Sequence, residues 1–558
     1  MTALVIAVLS FQHLGRPAEC PPAANVKAPR SALQDRLMAS VEGRVRAYVR
    51  LVAGITVDAG SGRKAGKAIS ELEKEGERAL SQLYGGLPGM TRPGEGCKAT
   101  SGPGPLQVKA DRVALPQASC TFFPEQYLDG FARQAFLDPS RLDLAEPPRP
   151  PRAVSHVTSS EYRKLLARQD AAEMIELEPA VTLGDSAMAA GMFAVAKSAG
   201  ADRLITNRKP RNSQERGLGV SGSLFPHGTC FCDLQLGPRD VVFGHGDDLP
   251  DFYHTCRCSA ARARTNAVGP IVSFGEVAHL RAAARAVSRW GTLQDDEPMR
   301  AVQRSLPMGD KSATDFAELA HIGVLRTEGC GLLPELLSYR QPAPRGDVWE
   351  VVMVDDRVVV ETAREGRRSA RAAAMLGAGD RAYERAKLEP KAEKRFRDQS
   401  VFEAIGARVD GRRGWTSAKP AHILLATALT VELVRLGRCT GSLLATVVSL
   451  WVHILLFQRV GFVYMDHVFH EVSRRRSHQR EARPLGGAPA DELLTLAVLA
   501  PLWGTNLRAP VRDVLVCTDA SGGKRPWAAG VGTRIPAGVA RELWRHRVRR
   551  GGRIDQLA

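Results

Sequence analysis

Residues 349–361 read Trp349-Glu350-Val351-Val352-Met353-Val354-Asp355-Asp356-Arg357-Val358-Val359-Val360-Glu361. Two β-branched runs flank a pair of adjacent aspartates. β-Branched side chains pack well on a pleated surface, so each run reads as a strand and the acidic pair as the turn of a hairpin. An ordinary Asp-rich turn accounts for this pattern, and so does a metal site. Two carboxylates held side by side at a rigid strand end repel each other, and a divalent cation relieves that repulsion.

A second acidic cluster lies upstream, Asp247-Asp248-Leu249-Pro250-Asp251-Phe252-Tyr253, directly after the apolar Val241-Val242-Phe243. A carboxylate at the end of that strand can meet the aspartate pair of a neighbouring hairpin. Three such groups could hold two magnesium ions, roughly 3.5–4 Å apart. Magnesium suits such a site because it prefers oxygen ligands and leaves positions open for phosphates; manganese is the alternative ion.

The composition is compatible with this chemistry. The chain has 558 residues, of which 44% are hydrophobic, enough for several domains and more than one core. Lys and Arg number 77 against 60 Asp and Glu, a net charge of +17 and a pI near 9.7. Such a surplus suits a polyanionic partner, since bound Lys and Arg displace counterions from phosphates, but ribosomal, membrane-surface and merely soluble proteins can be as basic. Ten cysteines at irregular spacing argue against a secreted disulfide framework and for a reducing compartment. Cys230-Phe231-Cys232 and Cys256-Arg257-Cys258 are spaced more tightly than the common zinc pairs and read as small buried thiols. No basic residue precedes the apolar Ala3–Leu9, which reads as a strand or a fragment start rather than a signal peptide. Leu443–Phe457 is short for a membrane span and contains His453, so it reads as a core helix. The expected location is intracellular, cytoplasmic or nuclear, with no membrane partner; nothing in the sequence sets an oligomeric state.

Residues 1–110 are weakly patterned, with Gly-Pro clusters at 85–89 and 102–105 and a helix expected over Arg63–Leu83. Pro147-Pro148-Arg149-Pro150-Pro151 reads as a stiff spacer. Mixed helix and strand follow to Glu361, and a mostly helical pattern runs from Ser369 to about Arg476. Within it, Pro420–Gly437 and Ser442–Gln458 carry apolar residues at helical spacing, and Arg474-Arg475-Arg476 reads as a solvated basic run.

Here a resemblance enters. Asp248-Leu249-Pro250-Asp251-Phe252-Tyr253 resembles the first palm motif of reverse transcriptases, and Met353-Val354-Asp355-Asp356 their Tyr-x-Asp-Asp box. Leu306-Pro307-Met308-Gly309-Asp310 resembles the Leu-Pro-x-Gly motif lining the nucleotide site. Gly191–Lys197 and Arg203–Asn212 resemble the fingers, Lys394 the lysine-bearing motif, and Ala404–Gly411 the primer-grip hairpin. These motifs occur in the family's order over about residues 180–415. The chain departs from the pattern at Met353, where the family usually has Tyr, and at Asn207, where it usually has Asp.

The resemblance implies an α/β right-hand polymerase. It places a pre-fingers connector at 111–180, fingers and palm at 181–375, the lysine motif, primer grip and helical thumb at 376–480, and a truncated ribonuclease H-like segment at 481–558. It implies RNA-directed DNA synthesis on an RNA template and DNA primer from deoxynucleoside triphosphates, in an element of the retrotransposon type. One of two magnesium ions on Asp248, Asp355 and Asp356 would activate the primer 3′-hydroxyl, and the other would hold the triphosphate. Lys197 and Arg203 would reach the triphosphate, Tyr253 would stack under the sugar, and Met308, Gly309 and Lys394 would complete the nucleotide site. A plain helical packing domain fits the thumb periodicity equally well.

Val514-Leu515-Val516-Cys517-Thr518-Asp519-Ala520-Ser521 resembles the opening strand of a ribonuclease H domain, with Asp519 as first metal ligand. Asp519 is the one clear match to that family's carboxylates, so ribonuclease H activity is not expected. The segment is expected to pack poorly unless it docks on the thumb or another chain. Two rival readings stand beside the enzyme: a decayed or repurposed copy that binds nucleic acid without polymerising, and a basic scaffold with fortuitous motifs, in which Asp248 and Asp355 would lie far apart.

Overall fold

The computed structural model describes residues 105–545, except 117–118, 198–199, 221–224, 339–340, 365, 478, 512 and 521–527. The expected helix at Arg63–Leu83 and the apolar Ala3–Leu9 lie outside the described residues. The described chain falls into two compact units, one of 105–416 with 506–545 and one of 417–505. Helices and antiparallel sheets alternate through the first; the second is mainly helical.

The first unit has two cores. One lies beneath an antiparallel sheet of order β1-β6-β5, made of Ile175–Pro179, Pro298–Gln303 and Ala267–Ser273. Helices α1 (Ser159–Ala171) and α2 (Arg281–Trp290) bury Leu165, Ala282 and Ala283 with Ile175 and Met299 there. The hairpin of β2 (Gly191–Ala196) and β3 (Asp202–Asn207) adds Met192 and Ala194 to the same core. The other core sits under a four-stranded sheet, β7 (Val348–Met353), β8 (Asp356–Arg364), β4 (Asp240–Asp248) and β9 (Phe396–Gln399), in that order. Its helical floor is α3 (Ala313–Arg326) and α4 (Ala370–Ala386), with Phe316, Met375 and Tyr383 fully buried. A helix apolar on nearly every side, as α3 is, belongs in an interior.

Between Lys394 and Asp410 the chain departs from the mostly helical pattern, and a hairpin stands where one was expected at Ala404–Gly411, beginning three residues earlier. Three four-residue strands stand there: β9, β10 (Val401–Ala404) and β11 (Ala407–Asp410). The cause lies in β4. A Cβ at Gly244 or Gly246 would overlap the rings of Phe402 or Phe396. The two glycines thus open a slot for these aromatics, which stack at 6.1 Å, and β9 pairs with β4 alongside. Ile405 and Gly406, both at positive φ, make the two-residue loop that joins β10 to β11.

In the second unit, α5 (Pro420–Leu436), α6 (Gly441–Leu455), α7 (Asp466–Arg474) and α8 (Gly487–Val498) pack together. Trp451 is fully buried and donates to Thr430 Oγ1 at 2.8 Å. Among the described residues no helix is long and apolar enough to cross a membrane. Arg475 corrects the solvated reading of 474–476. It is 2% exposed, pairs with Glu471 at 2.5 Å, and donates to the carbonyls of Cys439 and Pro484. Its planar guanidinium fork thereby ties the end of helix α7 to two chain segments. Arg474 and Arg476 are exposed.

The strands Val514–Ala520 and Ala528–Arg534 pair antiparallel, with Asp519 opposite Ala529. Helix α9 (Ala537–Arg545) follows. It packs on the loop before β7: Arg545 donates to the Ala343 carbonyl, and Glu542 pairs with Arg345 at 2.8 Å.

Candidate active site

Strand alternation sends neighbouring side chains to opposite faces, and it separates the roles of Asp247 and Asp248. Asp247 turns inward, to Arg395 at 2.9 Å and Arg397 at 2.7 Å, and is part of the fold's ion pairing. Asp248 ends β4 directly opposite Asp356, the first residue of β8. The next residue, Leu249, donates its N–H to the Asp355 carbonyl at 2.9 Å. Asp248, Asp355 and Asp356 therefore meet at one end of one sheet, where fortuitous motif matches would have left them apart. Lys394 joins them, its Nζ 2.7 Å from Asp248 Oδ2.

The charges of the three carboxylates act on one another. Desolvation, with the charge of Asp248, pushes the Asp355 carboxyl up to about 6. Desolvation, then the charges of Asp355 and Asp248, push Asp356 up to about 7. Asp356 is exposed at the surface, so water screens it and Asp355 is the better guide. Burial works against the Lys394 ammonium, but its hydrogen bond to Asp248 and the aspartate charges raise its pKa overall.

Met353 and Asp356 pair in register, leaving Val354 and Asp355 as a two-residue loop. Val354 has φ +57°, a strained conformation for a β-branched residue and one where hairpin loops favour glycine. Helix α3 holds it there from below. Glu318 Oε2 accepts the Val354 N–H at 2.6 Å, and His321 Nδ1 lies 2.8 Å from the Val354 carbonyl. Burial lowers His321 to about 4, so the ring is neutral at pH 7. A carbonyl only accepts, so Nδ1 carries the proton and Nε2 accepts from the Tyr383 hydroxyl, 2.9 Å away. Burial raises Glu318 to about 8, against the opposing pull of the Val354 N–H, so it is protonated at neutral pH and adds no charge to the core. Sequence reading missed this layer. Its signal was a Glu and a His three residues apart, on one face of an otherwise apolar helix.

Of the other expected residues, Arg203 and Tyr253 interact electrostatically with Asp355. Lys197 and Arg203 are exposed on the β2–β3 hairpin. The charge of Arg203 reaches Asp355, and both cations act on His254, which burial lowers to about 4. Tyr253, half-buried, donates its hydroxyl to Thr314 Oγ1 at 3.2 Å. Met308 is half-buried. A Cβ at Gly309 would overlap the Thr206 carbonyl, so this glycine lets its loop lie against β3. Next to it, Asp310 is buried against Arg262 at 3.0 Å and Arg208 at 3.4 Å. Asn207, at the departure from the family pattern, donates to the Val154 carbonyl at 3.3 Å; the neighbouring Arg208 carries the ion pairing, to Glu215 at 2.8 Å. For Asp519 only the backbone position in its strand is described.

Three oxygen-donor carboxylates, two of them with raised pKa, make a donor set suited to a hard divalent cation. Among the described residues, however, no three His, Cys, Asp or Glu side chains are grouped closely enough to hold a metal ion as they stand. Mutual repulsion and the Lys394 contact to Asp248 both oppose that grouping.

The chain is similar to viral reverse transcriptases. A foamy viral protease-reverse transcriptase dRH in complex with double-stranded DNA is 11% identical, with 84% of this chain and 67% of that chain covered and a TM-score of 0.44. A second foamy viral protease-reverse transcriptase with double-stranded DNA is 10% identical, covering 85% and 80%, with a TM-score of 0.42. For the native protease-reverse transcriptase of prototype foamy virus the values are 12%, 71% and 46%, with a TM-score of 0.31. No protein-family model and no curated protein matches the chain. At such low identity the chemistry has to be read from the site's own residues.

Proposed function

We propose that this protein is an RNA-directed DNA polymerase whose reaction centre is Asp248, Asp355 and Asp356. The observation that carries the reading is their meeting at one sheet end, with Asp248 opposite Asp356 and Leu249 bonded to Asp355. Magnesium or manganese, when bound by these carboxylates, would activate a primer 3′-hydroxyl and stabilise charge on the transferred phosphoryl group and the leaving pyrophosphate. The chain's own residues position and neutralise. Lys197 and Arg203 lie on the exposed hairpin that faces Asp355 and would attract the triphosphate. Lys394, on Asp248 in this structure, would pair with phosphate oxygens when Asp248 holds a cation. Tyr253, anchored through Thr314, would underlie the sugar, beside Met308 and Gly309. Glu318 and His321 hold the aspartate turn in its strained form, so that its geometry is set before substrate arrives.

Primer extension by the purified chain on an RNA template with magnesium or manganese tests this. Extension that Asp355→Asn abolishes, with template binding retained, is the expected result. Extension unchanged in that variant would remove Asp355 from the chemistry. A second reading, nucleic-acid binding without polymerisation, is favoured by Met353 in place of Tyr and by the Lys394–Asp248 contact; template binding with no extension under either metal would select it.

A further inference from the structure

A cavity of about 200 Å³ lies where the chain passes from β1 to β2. Residues 182–186 form one wall, and Arg211, Arg264 and Arg300 line it from other elements. Two of the three arginines have conventional partners. Arg211 pairs with Asp143 and Glu215. Arg264 is exposed, donates to the Thr182 carbonyl at 2.7 Å, and lies over the Trp290 ring.

Arg300 differs. It projects from β6 and is 9% exposed. Among the described residues its side chain makes one hydrogen bond, a long one of 3.5 Å to the Ser186 carbonyl, and its Nε is buried with no partner. No carboxylate among the described residues makes an ion pair with it. Glu178, opposite it in the β1–β6 register, pairs through Oε1 with Arg289 on α2, while its Oε2 is buried without a hydrogen-bond partner among the described residues and makes no ion pair with Arg300. Burial pulls the Arg300 pKa below its usual value, in keeping with a cation that lacks an anion. Buried charges are ordinarily paired, so a guanidinium that lines a cavity with its Nε unpartnered can take a counter-ion that enters the cavity.

We propose that this cavity binds a phosphate-class anion between Arg300 and Arg264. A planar guanidinium fork matches the oxygens of a phosphoryl group, and two of them on one cavity wall can share it. Asp185 stands on the 182–186 wall of the cavity, its Oδ1 occupied by the Ala187 N–H at 2.8 Å, and disfavours a second negative group beside the first. The anion is either a free phosphate compound or one phosphate of a nucleic-acid strand. The site lies apart from the aspartate cluster, so the proposal stands or falls independently of polymerisation.

The test is the melting temperature of the full chain in inorganic phosphate against chloride at equal ionic strength, with wild type, Arg300→Met and Arg264→Gln. A saturable phosphate-dependent rise in wild type, lost in Arg300→Met and weakened in Arg264→Gln, is expected. In chloride Arg300→Met should melt no lower than wild type, because it removes an unpaired cation. A labelled single-stranded oligonucleotide separates the two sources. Weaker binding by Arg300→Met, with a salt slope reduced by about one phosphate contact, assigns the strand. Unchanged oligonucleotide binding with a lost phosphate response assigns the free anion. Absence of a phosphate response in wild type, or the full response in both variants, overturns the site; Arg264→Gln decides alone if Arg300→Met does not fold.

Discussion

Lys394 Nζ stands 2.7 Å from Asp248 Oδ2, at the point where β4 ends opposite Asp356. The lysine side chain is 57% exposed and the aspartate 12% exposed. One cation of the protein thus occupies a carboxylate that a metal would need. The two compete, and exposure limits how strongly, since a solvent-accessible ion pair is worth about 0.2–1 kcal/mol.

Lys394→Met should therefore tighten binding of manganese to the nucleotide-free protein by a few-fold at most. It should also slow extension, because the charge that would meet the triphosphate is gone. Manganese titration followed by calorimetry, alongside single-turnover extension, reads both. Weaker manganese binding in the variant would show that Lys394 supports the metal site instead of competing with it.

The raised pKa values of Asp355, about 6, and Asp356, about 7, lead to a pH-dependent metal effect. An acid with a raised folded pKa keeps a proton that the unfolded chain has already released. Between about pH 4 and 7 these two groups make stability fall as pH rises. The contribution of Asp355 is about 3 kcal/mol, at about 1.4 kcal/mol per unit; exposed Asp356 adds less. His321 and His254, lowered to about 4, have the opposite sign and make stability rise between about pH 4 and 6.5. The melting-temperature difference between magnesium and EDTA removes the histidine contribution. It should be small at pH 5.5, where the carboxyls hold protons, and larger at pH 8. A difference independent of pH would mean that magnesium binds elsewhere.

Glu318 tests the layer beneath the turn. Glu318→Gln keeps an acceptor for the Val354 N–H and, since Glu318 is protonated near neutrality, changes no charge. It should cost under about 1 kcal/mol. Glu318→Leu leaves that N–H buried and unpaired, which should cost about 1–3 kcal/mol. Extension should drop at least tenfold in the Leu variant with little loss of template affinity. Equal behaviour of the two variants in denaturant melts and extension assays would mean that Glu318 does not hold the turn.

Tyr253→Ala should raise the ratio of ribonucleotide to deoxynucleotide incorporation, because a ring fixed by Thr314 at 3.2 Å is removed from the sugar's expected position. Tyr253→Phe keeps the ring and should leave that ratio near wild type. Incorporation ratios measured at one template position compare the three proteins. If the Ala variant matches wild type, Tyr253 is a packing residue.

Local pattern was enough to read the β7–β8 hairpin from Trp349 to Glu361, the strand ending at Asp248, and helices α5 and α6. In each, one period of apolar residues runs unbroken and ends at a polar turn, so neighbours in sequence carry the whole signal. Local pattern did not give the short strands β9–β11, although the motif at Ala404–Gly411 marked the hairpin of β10 and β11. Their formation depends on Gly244 and Gly246 in β4, far away in the chain, leaving room for Phe402 and Phe396. The basic triplet at 474–476 looked uniform in sequence, yet Arg475 alone is buried, because its position just past the end of α7 brings it to Glu471, Cys439 and Pro484. The same holds at the site. The sequence by itself determined which carboxylates were available. Only the tertiary structure decided that Asp247 would be consumed by Arg395 and Arg397 while Asp248 met Asp356, and that Glu318 and His321 would support a valine at positive φ. Strand register and burial are set by contacts between distant segments, and side-chain charge and pKa follow from them.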